Sequence, residues 1–158
     1  MNMQPIVLLI DDERRSGGWL GRIVRLAGYI CYQVESGLEA LNLLEKKEIH
    51  VVMSDVDLPD MDFADFVRAV KIKRNYVEVI MLTTHASVHE AIKAIKSGAF
   101  EYLIKGTDND VLLPLLAKAN ENVCSHFESF QCDSHDDVLW SGFNNKCEHE
   151  ESRLPRKN

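Results

Sequence analysis

Four places in the sequence set a reactive side chain directly behind a short apolar run. Asp11, Asp12 and Glu13 follow VLLI at 7–10, Asp55 follows VVMS at 51–54, Thr83 follows VIML at 79–82, and Lys105 follows YLI at 102–104. Carboxylates gathered at one spot repel one another and resist ionisation unless a cation sits among them. Hard oxygen donors with room left for water suit Mg²⁺, which takes one or two carboxylates. A lysine and a hydroxyl beside such an ion suit an anionic oxygen group, phosphoryl above all. A carboxylate can itself be the nucleophile, giving an acyl phosphate. Singly, each residue has an ordinary explanation. The acidic triplet suits a helix N-terminus, Asp55 ahead of Pro59 suits a turn, Thr83 suits a strand, and Lys105 suits a surface. Four such residues behind four different apolar runs ask for one explanation.

The runs that position them read as strands: Ile6–Ile10, Ile30–Val34, Val51–Ser54, Val79–Leu82 and Tyr102–Ile104. Runs of this length, rich in Val and Ile and without alternation, suit strands covered on both faces. Between them apolar residues recur at helical spacing: Trp19, Leu20, Ile23, Val24 and Ala27; Leu38, Leu41 and Leu44; Phe63, Phe66, Val67 and Val70; Val88, Ala91, Ile92 and Ile95; and finally Leu112, Leu115, Leu116, Ala119 and Val123. Strand–helix alternation repeated five times predicts a parallel sheet with right-handed crossovers and helices on both faces. The expected fold is α/β, flavodoxin-like and doubly wound, with strand order 2-1-3-4-5. In such a sheet ligands bind beyond the carboxyl ends of the strands. The first, third, fourth and fifth strands are then neighbours, so the four reactive positions meet at one rim.

Composition narrows the functional classes. The chain has 158 residues, 46% hydrophobic and 27% charged, which is ordinary for one globular domain. Its net charge of −7 argues against a dedicated nucleic-acid surface. No apolar run reaches the length of a membrane span, and the first residues lack the layout of a signal peptide. A cytoplasmic protein with reduced thiols is expected. The texture changes near residue 125, predicting a domain over 1–124 and a polar, flexible tail or linker over 125–158. In and beside the tail, Cys124 and His126, Cys132 and His135, and Cys147 and His149 recur at spacings that match no common zinc site. Val138, Leu139, Trp140 and Phe143 form a small apolar group there.

Over residues 4–124 the chain resembles the receiver domain of two-component response regulators. The resemblance is carried by VLLIDDE at 7–13, SDVDLPDMD at 54–62, VIMLTTHAS at 79–87, SGAFEYLIK at 97–105, and Gly28-Tyr29. The intervals of 28 residues from Asp55 to Thr83 and 22 from Thr83 to Lys105 also look like the family's. The stretch from strand 4 onward is similar to receivers of bacterial enhancer-binding activators. The resemblance implies that Asp55 accepts a phosphoryl group from a sensor histidine kinase or a phosphotransfer protein. Asp11, Asp12, Asp55 and the backbone carbonyl of Asp57 would hold Mg²⁺, and Lys105 would pair with the phosphoryl group. Thr83 and Tyr102 would form the switch, altering the surface of the fourth helix, fifth strand and fifth helix (roughly 88–124). That surface would control an output and could serve a homodimer. Activity would be limited to self-phosphotransfer and autodephosphorylation, and no DNA-reading segment follows, so direct nucleic-acid binding is not expected.

Some positions depart from the family pattern. Gly106 stands where a proline with a cis bond is usual, which puts the loop and the aim of Lys105 in question. Phe63 stands where glycine is usual and would be strained if that position needs positive φ. Thr84 replaces a small residue, and Asp57 and His85 flank the phosphoryl position. Gly17-Gly18 should delay the first helix to about Trp19. Pro114 must fall early in the last helix or kink it. Two other readings follow from these features. One is a degenerate receiver acting as a constitutive binding module. The other is a haloacid-dehalogenase-like phosphatase, suggested by Asp55-Val-Asp57 but expected to carry that motif on its first strand.

Overall fold

The structure is a computed structural model that describes residues 4–11, 18–106 and 108–133, with residues 127–133 as helix backbone only. Five strands and five helices alternate: β1 (Ile6–Ile10), α1 (Trp19–Leu26), β2 (Ile30–Val34), α2 (Gly37–Lys46), β3 (Val51–Asp55), α3 (Phe63–Lys73), β4 (Glu78–Thr83), α4 (Val88–Ser97), β5 (Glu101–Ile104) and α5 (Asn109–Asp133). The sheet is parallel throughout and ordered β2-β1-β3-β4-β5, as the alternation predicts. Val7 sits between Cys31 on one side and Val51 on the other. β3 and β4 run one residue past their expected ends, so Asp55 and Thr83 are the last residues of their strands.

Successive strand residues face opposite sides of a sheet, and each side has its own core. Leu8, Ile10, Val52, Val79 and Met81 pack with Leu44, Phe66, Val67 and Val70 of α2 and α3. Val7, Leu9, Val51, Met53, Ile80 and Leu82 pack with Leu20 and Val24 of α1 and Leu112, Leu116 and Ala119 of α5. Burial on both faces is why these strands read as unbroken apolar runs rather than as alternating ones.

Side-chain caps start three helices. Ser36 accepts from the Glu39 N–H, Asp62 from Ala64, and Ser87 from Glu90. α1 begins at Trp19 behind Gly18, whose φ of +73° suits a residue without Cβ. Phe63 is the first residue of α3 and 6% exposed, so no positive φ is needed and the expected strain is absent. Pro114 lies in the second turn of α5, where it withholds one helical N–H.

α5 runs through Asp133, so the change of texture at 125 falls inside a helix. Asn122 Nδ2 already reaches Glu78, the first residue of β4. The helix has reached the amino-terminal edge of the sheet there, and among the described residues its buried apolar positions end at Val123 and Cys124. Beyond that edge the His126 ring packs at 5.9 Å from Tyr76. The remaining Cys and His pairs and the Val138–Phe143 group lie outside the described residues. Among the described residues, no helix is long and apolar enough to cross a membrane.

Candidate phosphoryl-acceptor site

The strand order sets β1, β3, β4 and β5 side by side, and their carboxyl ends bring three ionisable groups together. Lys105 Nζ donates to Asp55 Oδ2 at 2.8 Å and to Asp11 Oδ1 at 3.0 Å. Asp11 is 2% exposed and Asp55 6%, while the Lys105 side chain is 14% exposed. Burying charge is unfavourable unless it is paired, and here one ammonium serves two carboxylates. Burial pulls the Lys105 pKa down. Hydrogen bonds and attraction from Asp55 and then Asp11 outweigh this and hold it above the ordinary lysine value. Asp55 Oδ1 also accepts the Asp57 N–H at 3.1 Å, which fixes the loop that leaves β3.

Asp11 Oδ2 is buried and has no hydrogen-bond partner among the described residues. An orphaned carboxylate oxygen beside a second carboxylate fits a hard divalent cation, and the donor set is all oxygen. Asp12 and Glu13 lie outside the described residues. The Asp57 side chain is exposed, and its backbone N–H is already engaged by Asp55.

Gly106 does not misdirect Lys105. Among the described residues no peptide bond is cis, and Gly106 takes φ +87°. Proline, with φ near −65°, could not hold that conformation. The loop thus reaches the same rim by a glycine turn, and the Lys105 N–H closes onto the Thr83 carbonyl.

Thr83 is 4% exposed, and its hydroxyl belongs to the turn after β4. It accepts the His85 N–H at 3.1 Å and donates to the His85 carbonyl at 3.0 Å. Thr84 and His85 are exposed, with Thr84 Oγ1 3.0 Å from His85 Nδ1. Tyr102 donates its phenol to Glu90 Oε1 at 3.0 Å, which ties β5 to the first turn of α4. Desolvation, followed by the hydrogen bond and charge of Glu90, holds this phenol above its ordinary pKa, with nearby Thr83 acting the other way.

Sequence reasoning missed three acidic residues. Glu90 holds Tyr102, and its only local signal is the Ser-x-x-Glu pattern at Ser87. Asp60 accepts the Gly37 and Leu38 N–H groups at 3.0 and 2.9 Å, latching the loop after β3 to the start of α2. Asp62 pairs with Lys93 of α4 at 3.2 Å. The Asp60 and Asp62 contacts span more than twenty residues, and no local pattern marks them.

Comparison with known proteins agrees with this geometry. The family model for the response regulator receiver domain matches residues 7–117. The DNA-binding transcriptional regulator NtrC of Escherichia coli K12 is 32% identical over 126 residues, covering 80% of this chain and 26% of the relative. The transcriptional regulatory protein ZraR of Klebsiella oxytoca is 32% identical over 73% of this chain and 26% of its own length. The chain thus spans about a quarter of the length of these curated relatives. The solution structure of the beryllofluoride-activated NtrC4 receiver domain dimer is similar at TM-score 0.70 and 32% identity, covering 75% of this chain and 98% of that one. A strand-end carboxylate pair bridged by Lys105, on a parallel 2-1-3-4-5 sheet, therefore sits in a chain that belongs to the response regulator receiver domain family.

Proposed function

We propose that this chain is a working phosphorylation switch whose acceptor is Asp55. The observation that carries the reading is the bridge from Lys105 Nζ to Asp55 and Asp11, with Asp11 Oδ2 left open for a cation. Receiver domains are switch proteins that act with histidine kinases or phosphotransfer proteins and are generally Mg²⁺-dependent.

In this reading an Asp55 carboxylate oxygen attacks the phosphorus of a partner's phosphohistidine. The new O–P bond makes an aspartyl phosphate as the N–P bond breaks, and the imidazole leaves with the electron pair. Asp11, Asp12, Asp55 and the Asp57 carbonyl would hold Mg²⁺, which when bound would offset charge on the phosphoryl oxygens. Lys105, freed from the carboxylate it neutralised, pairs with the phosphoryl group. Thr83 turns its hydroxyl from the His85 turn to a phosphoryl oxygen. Tyr102 leaves Glu90 and moves into the space released, a two-state element biased by one new charge. Asp57 and His85 flank the site and set the access of the hydrolysing water.

The output face is the surface of α4, β5 and the start of α5, where Val88, Ile92, Ile95, Ile104 and Val111 are exposed. A homodimer through that face fits this apolar content, as the similar NtrC4 receiver is itself a dimer. The switch operates in the cytoplasm, with the receiver over 1–124 and a polar tail or linker over 125–158, into which α5 continues, serving an output such as transcription control. Because Lys105 reaches both carboxylates despite Gly106, a working switch is favoured over a constitutive binding module.

Intact mass after incubation with Mg²⁺ and acetyl phosphate tests this directly. A gain of one phosphoryl group that is lost with chelator and in Asp55→Asn is expected. No gain under any condition would overturn the reading.

A further inference from the structure

α4 is attached to the rest of the domain by very little apolar surface. Its buried residues are Ala94 and Ser97, whereas α3 buries Phe63, Ala64, Phe66, Val67 and Val70. An alanine and a serine remove little apolar area from water, so hydrophobic burial hardly fixes the position of α4. Its larger apolar residues, Val88, Ile92 and Ile95, face solvent. Beside Ala94 in the core, two polar contacts hold the helix. Glu90 accepts the Tyr102 phenol on the β5 side. On the other side Lys93 reaches the loop that leaves the acceptor strand. Its Nζ lies 3.2 Å from Asp62 Oδ1 and 5.1 Å from the centre of the Phe63 ring.

Asp62 is well placed for this contact because its other oxygen caps α3 through the Ala64 N–H at 3.1 Å. Burial pushes its carboxyl up, but Lys93 and the backbone N–H groups outweigh that and hold it below the usual range. Phe63 adds an aromatic face to which an ammonium is attracted. Glycine, usual in receivers at this position, offers no such face. Lys93 therefore grips the far end of the segment 55–62, whose near end is the acceptor.

We propose that the contact of Lys93 with Asp62 and Phe63 is a latch that holds α4 in the unphosphorylated position. It deepens the switch reading and rests on it. α4 is tied to the Asp55 loop by Lys93 and to β5 by Glu90, so rearrangement at the phosphoryl site reaches the output face by releasing these two polar contacts. Lys93 is a positioning residue and takes no part in the transfer.

Native-state hydrogen exchange on the full chain, without phosphodonor, tests the latch. Lys93→Met should speed exchange of the α4 amides roughly fivefold, about 1 kcal/mol at 1.4 kcal/mol per tenfold, with β1 and β3 amides unchanged. Asp62→Asn keeps a capping side chain and should act alike. The double variant should be no faster than either single one, as expected for two groups in one contact. Lys96→Met removes a charge elsewhere on α4 and should leave its exchange as in the wild type. Equal α4 exchange in wild type and Lys93→Met, or additive effects of Lys93→Met and Asp62→Asn, would overturn the latch. Phosphorylated wild type, which releases both contacts, should exchange at α4 at least as fast as Lys93→Met. If mass shows the phosphoryl group and α4 is unmoved, the latch is no part of the switch and the proposal falls. A chain that takes no phosphoryl group refutes the switch reading, while exchange in the untreated protein still decides whether the contact exists.

Discussion

Replacing Lys105 by methionine keeps an apolar stem and removes the ammonium that, among the described residues, pairs with two buried carboxylates. Attraction at about 3 Å is roughly 5–6 kcal/mol per contact at an effective dielectric near 20. Desolvation of the three groups offsets much of that. Breaking a buried pair by removing one partner typically costs about 3–5 kcal/mol. The Lys105 side chain is 14% exposed and the rim opens to solvent, so a net loss of about 2–3 kcal/mol is expected. Urea unfolding at pH 7 with chelator should show this as a lower midpoint at unchanged slope. For a chain of this size the same loss lowers Tm by roughly 4–12 °C. Mg²⁺ should narrow the gap to wild type, because a cation again faces the carboxylates. The wild-type lysine has its pKa raised above the ordinary 10.5, so its contribution is complete below about that pH and fades as pH rises through the folded value. The variant should lack this alkaline loss. A variant within about 0.5 kcal/mol of wild type at pH 7 in chelator, or one indifferent to Mg²⁺, would refute the reasoning.

Gly106→Ala should lose about 1–2 kcal/mol in thermal unfolding, because φ +87° is unfavourable for a residue with Cβ even though no atom lies within 4 Å of the added group. Tyr102→Phe removes the bond to Glu90 and should lower stability by about 0.5–1.5 kcal/mol in urea unfolding. In alkaline spectrophotometric titration it should delete one phenol that ionises above pH 10. His50 is buried, and its Nδ1 accepts the Ile6 N–H at 2.9 Å. His50→Leu keeps the bulk but leaves that N–H without its acceptor, so about 1–3 kcal/mol should be lost, with the β1 amides exchanging faster.

Much of this protein was legible in its sequence because the relevant signals are local. Strands buried on both faces are unbroken apolar runs, and helices covering one face repeat at 3.6 residues. Alternation of the two imposes parallel pairing, and the strand order then brings Asp11, Asp55, Thr83 and Lys105 to one rim. Gly18 and Trp19 mark the start of α1 by composition alone. Other features needed the tertiary structure because they depend on partners far along the chain. That Lys105 reaches its carboxylates through a glycine turn depends on how the loop closes on Thr83. That Phe63 is unstrained depends on Asp62 capping α3. The length of α5 escaped detection because apolar periodicity records what a helix packs against, and α5 outlasts the sheet. The weak seating of α4 and its grip on Asp62 and Tyr102 also escaped it. An exposed lysine and an exposed glutamate acquire meaning only from the residues that folding sets opposite them.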